Sequence, residues 1–548
     1  MFDARPLQAT EASAETAWSR PRYWLLGMCG ALLTLAWLNR FMQDDAYIIL
    51  RYARHLAEGH GLVWNVGERV EGYSSFLYTV LMAVPYLLRI DPVATGHAIG
   101  LACFTGSLVL TFGTARRVFG SSGAALLTAA LLGTNYTFSI FATGGLETSM
   151  HVLFVCVGLW LVARGQETGW SPLELLALSL VTGLLILTRP DSAIPCAVLI
   201  GAAMWRLHRT ARPHAWRAYA SLLVPAAAIV GVWLAWKLSY YGELLPNTYY
   251  VKVASATSTY NGVRYLYLFL LSYWLIPLAV LAVPLVRGLW QEPRDGLWAS
   301  LVLVALWLPY VLRIGGDFME FRFIVPVLPA MMLLVVSGLR RLEANATLRA
   351  SLVVLLLAGS VHHALAFDLW PRGQGPESRR DLQGHLSAPD QNWIGIGRAL
   401  AQAAGTDRSL RIAVGPAGAI PYYSELPAID MIGLTDHWVA RHGDVLSTWP
   451  GHQRVAPFRY LAQREVHLLI GHPVLRSTRQ PRIAAYGFQY FQQVALPSTR
   501  PETLPATIRV VEMPVTESYY LPMLYLRPHQ TIDALLERGV WREARFVK

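Results

Sequence analysis

The chain has 548 residues, of which 54% are hydrophobic and only 15% charged, and its mean hydropathy is +0.37. That composition points to a membrane as solvent and excludes an ordinary soluble fold. The net charge of +11 raises nucleic acid as a partner, but the arginines are scattered over short loops between apolar runs. They read as topology signals and anionic-lipid contacts, with no nucleic acid.

Residues 1 to 22, with Arg5, Arg20 and Arg22, are expected to be a cytoplasmic segment. The first apolar run lacks a small-residue cleavage site and reads as a retained signal anchor. Runs of about 15 to 23 residues that could cross a bilayer fall at 23 to 39, 93 to 113, 122 to 142, 149 to 163, 171 to 188, 191 to 205, 219 to 239, 264 to 286, 297 to 312, 323 to 338 and 350 to 367. The expected fold is therefore mainly α, a polytopic bundle of about 11 spans over residues 23 to 367. Cys29, Cys103, Cys156 and Cys196 all lie inside these runs and form neither a metal-ligand spacing nor a disulfide framework.

A further apolar run, 74 to 90, decides the topology. If it does not cross, Arg116, Arg117, Arg164, the cluster Arg206, Arg209, Arg212 and Arg217, and later Arg340, Arg341 and Arg349 all fall in inner loops. If it crosses, that bias inverts. The segment is expected to be juxtamembrane or re-entrant, with Pro85 helping to break it.

The first outer loop, 40 to 92, opens on Asp44 and Asp45 at the mouth of the first span. A carboxylate pair at a membrane boundary is costly, and two like charges this close raise one pKa toward the range a general base needs. The other reading is that one Asp caps the helix starting near Ala46. The run that follows has helical spacing, with Arg51, Arg54 and Glu58 on one flank, and reads as an amphipathic helix in the interface. Tyr47, Arg51, Asn65, Glu68, Glu71 and Tyr73 are this loop's candidates for sugar contact; the polar ones could equally stabilise the loop or snorkel to headgroups.

Later outer segments add Glu147 in ATGGLETS, and Arg189 with Asp191 in TRPDS, which could simply pair with each other. ELLPNTYYVK offers Asn247 for substrate and Lys252 for phosphate, beside tyrosines that suit membrane anchoring. In RIGGDFMEFRF, Gly315 and Gly316 permit a tight turn that presents Asp317, Glu320 and Arg322. From residue 368 to 548 the composition turns soluble in character. Strand-length runs (RIAVG, VHLLIG, MLYLR) alternate with helix-compatible stretches at 393 to 404 and 531 to 538, which predicts a periplasmic α/β domain. His437, His442, His452 and His472 lack a compact metal-ligand spacing, and no glycine-rich nucleotide loop is present.

DDAYIILRYARHLAEGHGLVWNVGERVEGYSSFLYT, together with GGDFMEFRF, resembles the GT-C class of membrane glycosyltransferases that use polyprenyl-phosphate sugars, and more narrowly the AftB-like arabinofuranosyltransferases. AGAIPYYS and IDMIGLTDH look like the periplasmic part of such proteins. The resemblance implies that Asp44 or Asp45 is the base, that Asp317 and Arg322 lie near the donor, and that the first loop holds juxtamembrane helices. It implies an inner-membrane enzyme acting at the periplasmic face, with a lipid-linked sugar as donor and an envelope glycan or protein as acceptor. A phosphate ester can leave with help from cations such as Arg189, Lys252 or Arg322, so no cofactor is implied and the chemistry does not call for a divalent metal. A lipid-linked-sugar transporter or flippase, or a non-catalytic glycan-binding membrane protein, are the alternatives.

Overall fold

The computed structural model describes residues 7–210, 215–252, 258–343, 346–369, 375–445, 453–478, 482–484 and 508–547. Through residue 369 the chain is helical. The first part comprises α1 (Leu7–Leu38), α2 (Asp44–Ala57), α3 (Phe76–Leu81), α4 (Val84–Leu88), α5 (Pro92–Phe119), α6 (Ser122–Thr134) and α7 (Tyr136–Ile140). It continues with α8 (Thr148–Thr168), α9 (Pro172–Thr188), α10 (Ala193–Arg209), α11 (Ala215–Tyr241), α12 (Asn247–Lys252), α13 (Ser258–Ser272), α14 (Ala282–Gln291), α15 (Asp295–Ile314), α16 (Leu328–Arg341) and α17 (Ala346–Ala366).

Among the described residues, six stretches are long and apolar enough to cross a membrane: α5, α8, α11, α15, Arg322–Arg341 and Ala346–Leu369. The pair Thr259–Ser272 and Ile276–Gln291, bent by 92°, would make a seventh. This is fewer than the eleven runs drawn from hydropathy, and for three of those runs helix length gives the reason. The run 122 to 142 is cut at Asn135, whose side chain accepts from Phe138 N (3.0 Å) and starts α7. The 13 residues of α6 therefore rise only about 20 Å, short of a core of about 30 Å. At 17 residues each, α9 and α10 sit at the lower limit for a span.

Residues 74 to 90 fold as two helices of six and five residues, with Met82 and Ala83 between them. Pro85 lies in the first turn of α4, where its missing N–H costs nothing, so it begins the second helix instead of breaking the first. Small residues let the longer helices approach closely. A Cβ on Gly158 of α8 would stand 2.4 Å from Leu199 of α10.

Beyond residue 378, α18 (Arg379–Ser387), α19 (Trp393–Ala404) and α20 (Ala419–Ser424) accompany nine strands. These are β1 (Ile412–Val414), β2 (Ala428–Asp430), β3 (Asp444–Val445), β4 (Arg454–Val455), β5 (Leu468–Gly471), β6 (Arg482–Ala484), β7 (Arg509–Pro514), β8 (Tyr520–Tyr525) and β9 (Arg542–Val547). Seven of them form one mixed sheet in the order β2-β1-β5-β8-β7-β9-β6. RIAVG holds β1, VHLLIG holds β5 and MLYLR ends β8. The parallel pair β1 and β2 is joined through α20, which carries the turn after β1 onto the start of α2.

Candidate active site

The start of α2 is capped by Gln43, whose Oε1 accepts from Asp45 N at 2.6 Å. Neither aspartate is the N-cap; both stand in the first turn, where the helix dipole favours negative charge. The Asp44 carboxylate turns to the C-terminal segment. Its Oδ1 accepts from Ala419 N at 2.7 Å and its Oδ2 from Gly418 N at 3.0 Å. Burial pushes the Asp44 carboxyl up to about 7. The two N–H bonds oppose that rise, and the neighbouring Asp45 charge adds less than burial does. Protein atoms crowd around Asp44, but it keeps a partial opening to solvent, as does Asp45.

Two other loops meet this point. A Cβ on Gly145 would stand 2.4 Å from Met42 Sδ and 2.8 Å from Ala46, and its φ is +76°, so the turn before Glu147 requires glycine there. Phe41 N donates to Thr143 Oγ1 in the same turn. From the second, the loop after Gly316, Met319 Sδ accepts from Gln43 Nε2 at 3.3 Å. These contacts bring the acidic pair beside the loops that carry Glu147 and Asp317.

Those loops carry a charged cluster around one ring. Arg189 bonds Glu147 through Nη1 (2.8 Å) and Asp191 through Nε and Nη2 (2.9 and 2.6 Å), and Tyr310 donates to Asp191 (3.3 Å). Asp191 pairs with Arg189 as the sequence allowed, but Glu147 shares the same guanidinium. Arg322 Nε pairs with Asp317 Oδ2 at 2.6 Å. The two guanidinium carbons stand 5.2 and 5.3 Å from the ring centroid of Phe323. All three nitrogens of Arg189 are engaged. Among the described residues, Nη1 and Nη2 of Arg322 have no hydrogen-bond partner.

The structure puts most of the first-loop candidates to a different use. The buried Arg51 donates to Trp64 O, Pro421 O and Leu426 O. Asn65 donates to Ala428 O (2.8 Å) and Glu68 Oε2 (3.0 Å), and Glu68 pairs with Arg464. Asn247 donates to Gly433 O, Leu434 O and Asp436 O and accepts from Arg441. Tyr47 packs on Tyr422 and Tyr423, and the Tyr73 hydroxyl meets that of Tyr241 at 3.0 Å. These groups fasten the loops to the C-terminal segment and to one another. Residues Ala46–Ala53 are all buried, so α2 is enclosed by protein and does not lie on a membrane surface. The Lys252 side chain lies outside the described residues.

Several functional groups escaped the sequence reading. Lys237, in α11, is buried against Glu71 at 2.7 Å; a lone lysine inside an apolar run was the available signal. His363 of α17 meets Glu320 at 2.8 Å, and Glu320 also accepts from Arg379 N at 2.7 Å. His385 of α18, stacked on Trp393, bonds Glu377 and Gln391 and faces Asp44, and these partners raise its pKa against the effect of burial. Arg264, with Asp317 and Gly315, lines a cavity of about 20 Å³. Of the histidines weighed as metal ligands, His437 bonds Glu243, His442 packs on Trp438, His472 packs on Trp393, and His452 lies outside the described residues. Among the described residues no three His, Cys, Asp or Glu side chains gather as a metal site.

Residues 68–385, more than half of the chain, match the model of the Alg9-like mannosyltransferase family. The chain belongs to that family. Its fold and its relatives are those of GT-C glycosyltransferases, and it is a multi-pass membrane protein. Residues 382–516 match a second model, described as a domain of unknown function, DUF8728. Among curated proteins this family member is similar to the terminal β-(1→2)-arabinofuranosyltransferase of Corynebacterium glutamicum, with 30% identity over 59% of this chain and 52% of the relative. It is also 29% identical to the protein of that description from Mycobacterium tuberculosis, over 46% of this chain and 41% of the relative. The chain thus spans about half the length of the curated relatives it matches. Among solved structures, ArnT from Cupriavidus metallidurans bound to undecaprenyl phosphate superposes with a TM-score of 0.55 at 14% identity, covering 93% of this chain and 98% of ArnT. At that identity the likeness concerns the fold.

Proposed function

We propose that the protein transfers a sugar, with arabinofuranose the leading candidate, from a polyprenyl-phosphate donor to a hydroxyl of an envelope glycan or protein. The reaction takes place at the periplasmic face of the bacterial inner membrane, and residues 368 to 548 form the periplasmic domain. The observation that carries this reading is the meeting of the Asp44–Asp45 turn with the loop that holds Arg322. Gln43 links the two through Met319, and Arg322 keeps Nη1 and Nη2 without partners among the described residues. The relatives' descriptions support the sugar, and the lipid named for the ArnT structure supports the donor class. Arginine placement supports the orientation, in an eleven-span topology that adds α1, α6, α9 and α10 to the six long stretches and the bent pair.

In the reaction, the acceptor hydroxyl gives its proton to a carboxylate of the pair, and its oxygen bonds the anomeric carbon. The bond from that carbon to the phosphate oxygen breaks, and polyprenyl phosphate leaves with the electron pair. Arg322 meets the charge that develops on the phosphate. Arg189, whose nitrogens are all taken, holds Glu147 and Asp191 in place beside Phe323.

The test is sugar transfer by purified protein from synthetic polyprenyl-phosphoryl arabinose, comparing wild type with Asp44→Asn and Asp45→Asn. Loss of about 10²- to 10⁴-fold in kcat/KM in at least one variant, with folding retained, is the expected result. Turnover unchanged in both removes the pair from the mechanism. Lipid movement across vesicles without transfer would establish the transporter instead.

A further inference from the structure

The C-terminal segment reaches directly into the acidic pair. The turn after β1 delivers two consecutive peptide N–H groups, one to each oxygen of Asp44. The fit is close: a Cβ on Gly418 would lie 1.9 Å from Asp44 O and 2.7 Å from its side-chain carbon. Any other residue at 418 would push α2 and α20 apart. The remainder of the contact is built to hold that registry. Further along the two helices, Arg51 donates to Pro421 O and Leu426 O, and Arg54 pairs with Glu425 at 3.0 Å.

We propose that this segment is a working part of the reaction centre: the N–H groups of Gly418 and Ala419 are a positioning element that fixes the Asp44 carboxylate as the proton acceptor. A carboxylate has about four lone-pair sites, and the two N–H bonds occupy two of them. The orientation of the carboxylate is then fixed, with acceptor capacity left on each oxygen. The inference rests on the proposed transferase reading and adds to it a choice between the two aspartates and a role for the residues that match the domain of unknown function.

Two opposing effects act on Asp44, and they supply the test. Burial raises its pKa, while the N–H donors favour the ionised form and lower it. The charged and titratable groups that face it are Asp45 and Tyr47 on its own helix and His385 on α18; the 418–419 turn brings only N–H groups. Removing one donor therefore raises the pKa further. A base works when deprotonated, so the rising acid limb of kcat/KM moves to higher pH while the alkaline plateau stays.

The cleanest change is lactic acid in place of Ala419 by nonsense suppression, which exchanges the N–H for an oxygen and leaves the side chain as it was. Ala419→Pro is the encoded counterpart, because proline suits the first position of a helix. Asp44 protonation is read directly as the carboxylic C=O stretch in pH-difference infrared spectra, with the band assigned by its loss in Asp44→Asn. The expected result in both variants is a midpoint higher by about one pH unit. The acid limb of the pH–rate profile should shift equally, a roughly tenfold loss of rate on that limb. An infrared midpoint that stays put while wild type transfers sugar overturns the positioning role alone. A midpoint that moves without the acid limb shows that Asp44 is not the acceptor. Absence of transfer by wild type overturns the transferase reading, and Asp44's role as acceptor falls with it.

Discussion

Two sets of polar residues sit on the loops of this protein, and the fold spends them differently. The first-loop set, Arg51, Asn65 and Glu68, joined by Asn247, is bonded to backbone and side chains of residues that lie far along the chain. The later-loop set, Glu147, Arg189, Asp191, Asp317 and Arg322, is bonded to itself around Phe323. In sequence both are polar residues in the segments between spans. The difference teaches that a polar residue in such a loop can serve as a fastener. Within the later set Arg189 is also filled, and Arg322 alone keeps Nη1 and Nη2 without hydrogen-bond partners among the described residues.

The comparison can be broken first at the pair that belongs to neither set. Lys237→Met leaves Glu71 buried without its partner and should cost about 3–5 kcal/mol, seen as a large fall in thermal midpoint in detergent. Lys237→Met combined with Glu71→Leu should recover much of it. Next, Arg322→Gln should lower kcat/KM by about 10²-fold with little change in melting, and Arg322→Lys should restore only part, because lysine lacks the planar fork. Equal loss of stability would return Arg322 to the fasteners. Asn247→Ala should do the reverse. Its amide serves three carbonyls, so its loss should cost about 1–3 kcal/mol in melting while KM for donor stays within twofold. The smallest effect is in wild type: with Asp44 near 7, kcat/KM should rise as pH passes through that value. One pH unit below the midpoint it should stand about tenfold under the plateau. A profile flat from pH 5 to 9 would contradict Asp44 as base.

Much of this arrangement was legible in the chain. The helix read from about Ala46 forms as α2, starting two residues earlier at Asp44, GlyGly at 315 and 316 makes the tight turn with φ of +91° and +73°, and 393 to 404 is a helix to the residue. The N-cap was not legible. Asp would normally outcompete Gln there, but Asp44 is recruited by N–H groups 374 and 375 residues away, so Gln43 takes the cap. The enclosure of α2 escaped for a related reason: an amphipathic pattern looks the same whether the apolar face meets lipid or protein. Hydropathy drew 122 to 142 as one run because it does not register Asn135 as a helix start. Lys237 was visible and passed over; a single charge in WLAWKLSYY asks for a partner.

The distances along the chain set an order of assembly. Asp44 and Arg51 emerge among the first tenth of the residues, but the groups that seat them, from Gly418 to Leu426, are made only after every helix of the bundle. A nascent chain carries its acidic pair through insertion without the contacts that orient it. The contacts of Asp44 with Gly418 and Ala419 can form only once the chain has been made through the turn after β1. A chain cut short before residue 418 lacks both N–H groups that hold the Asp44 carboxylate.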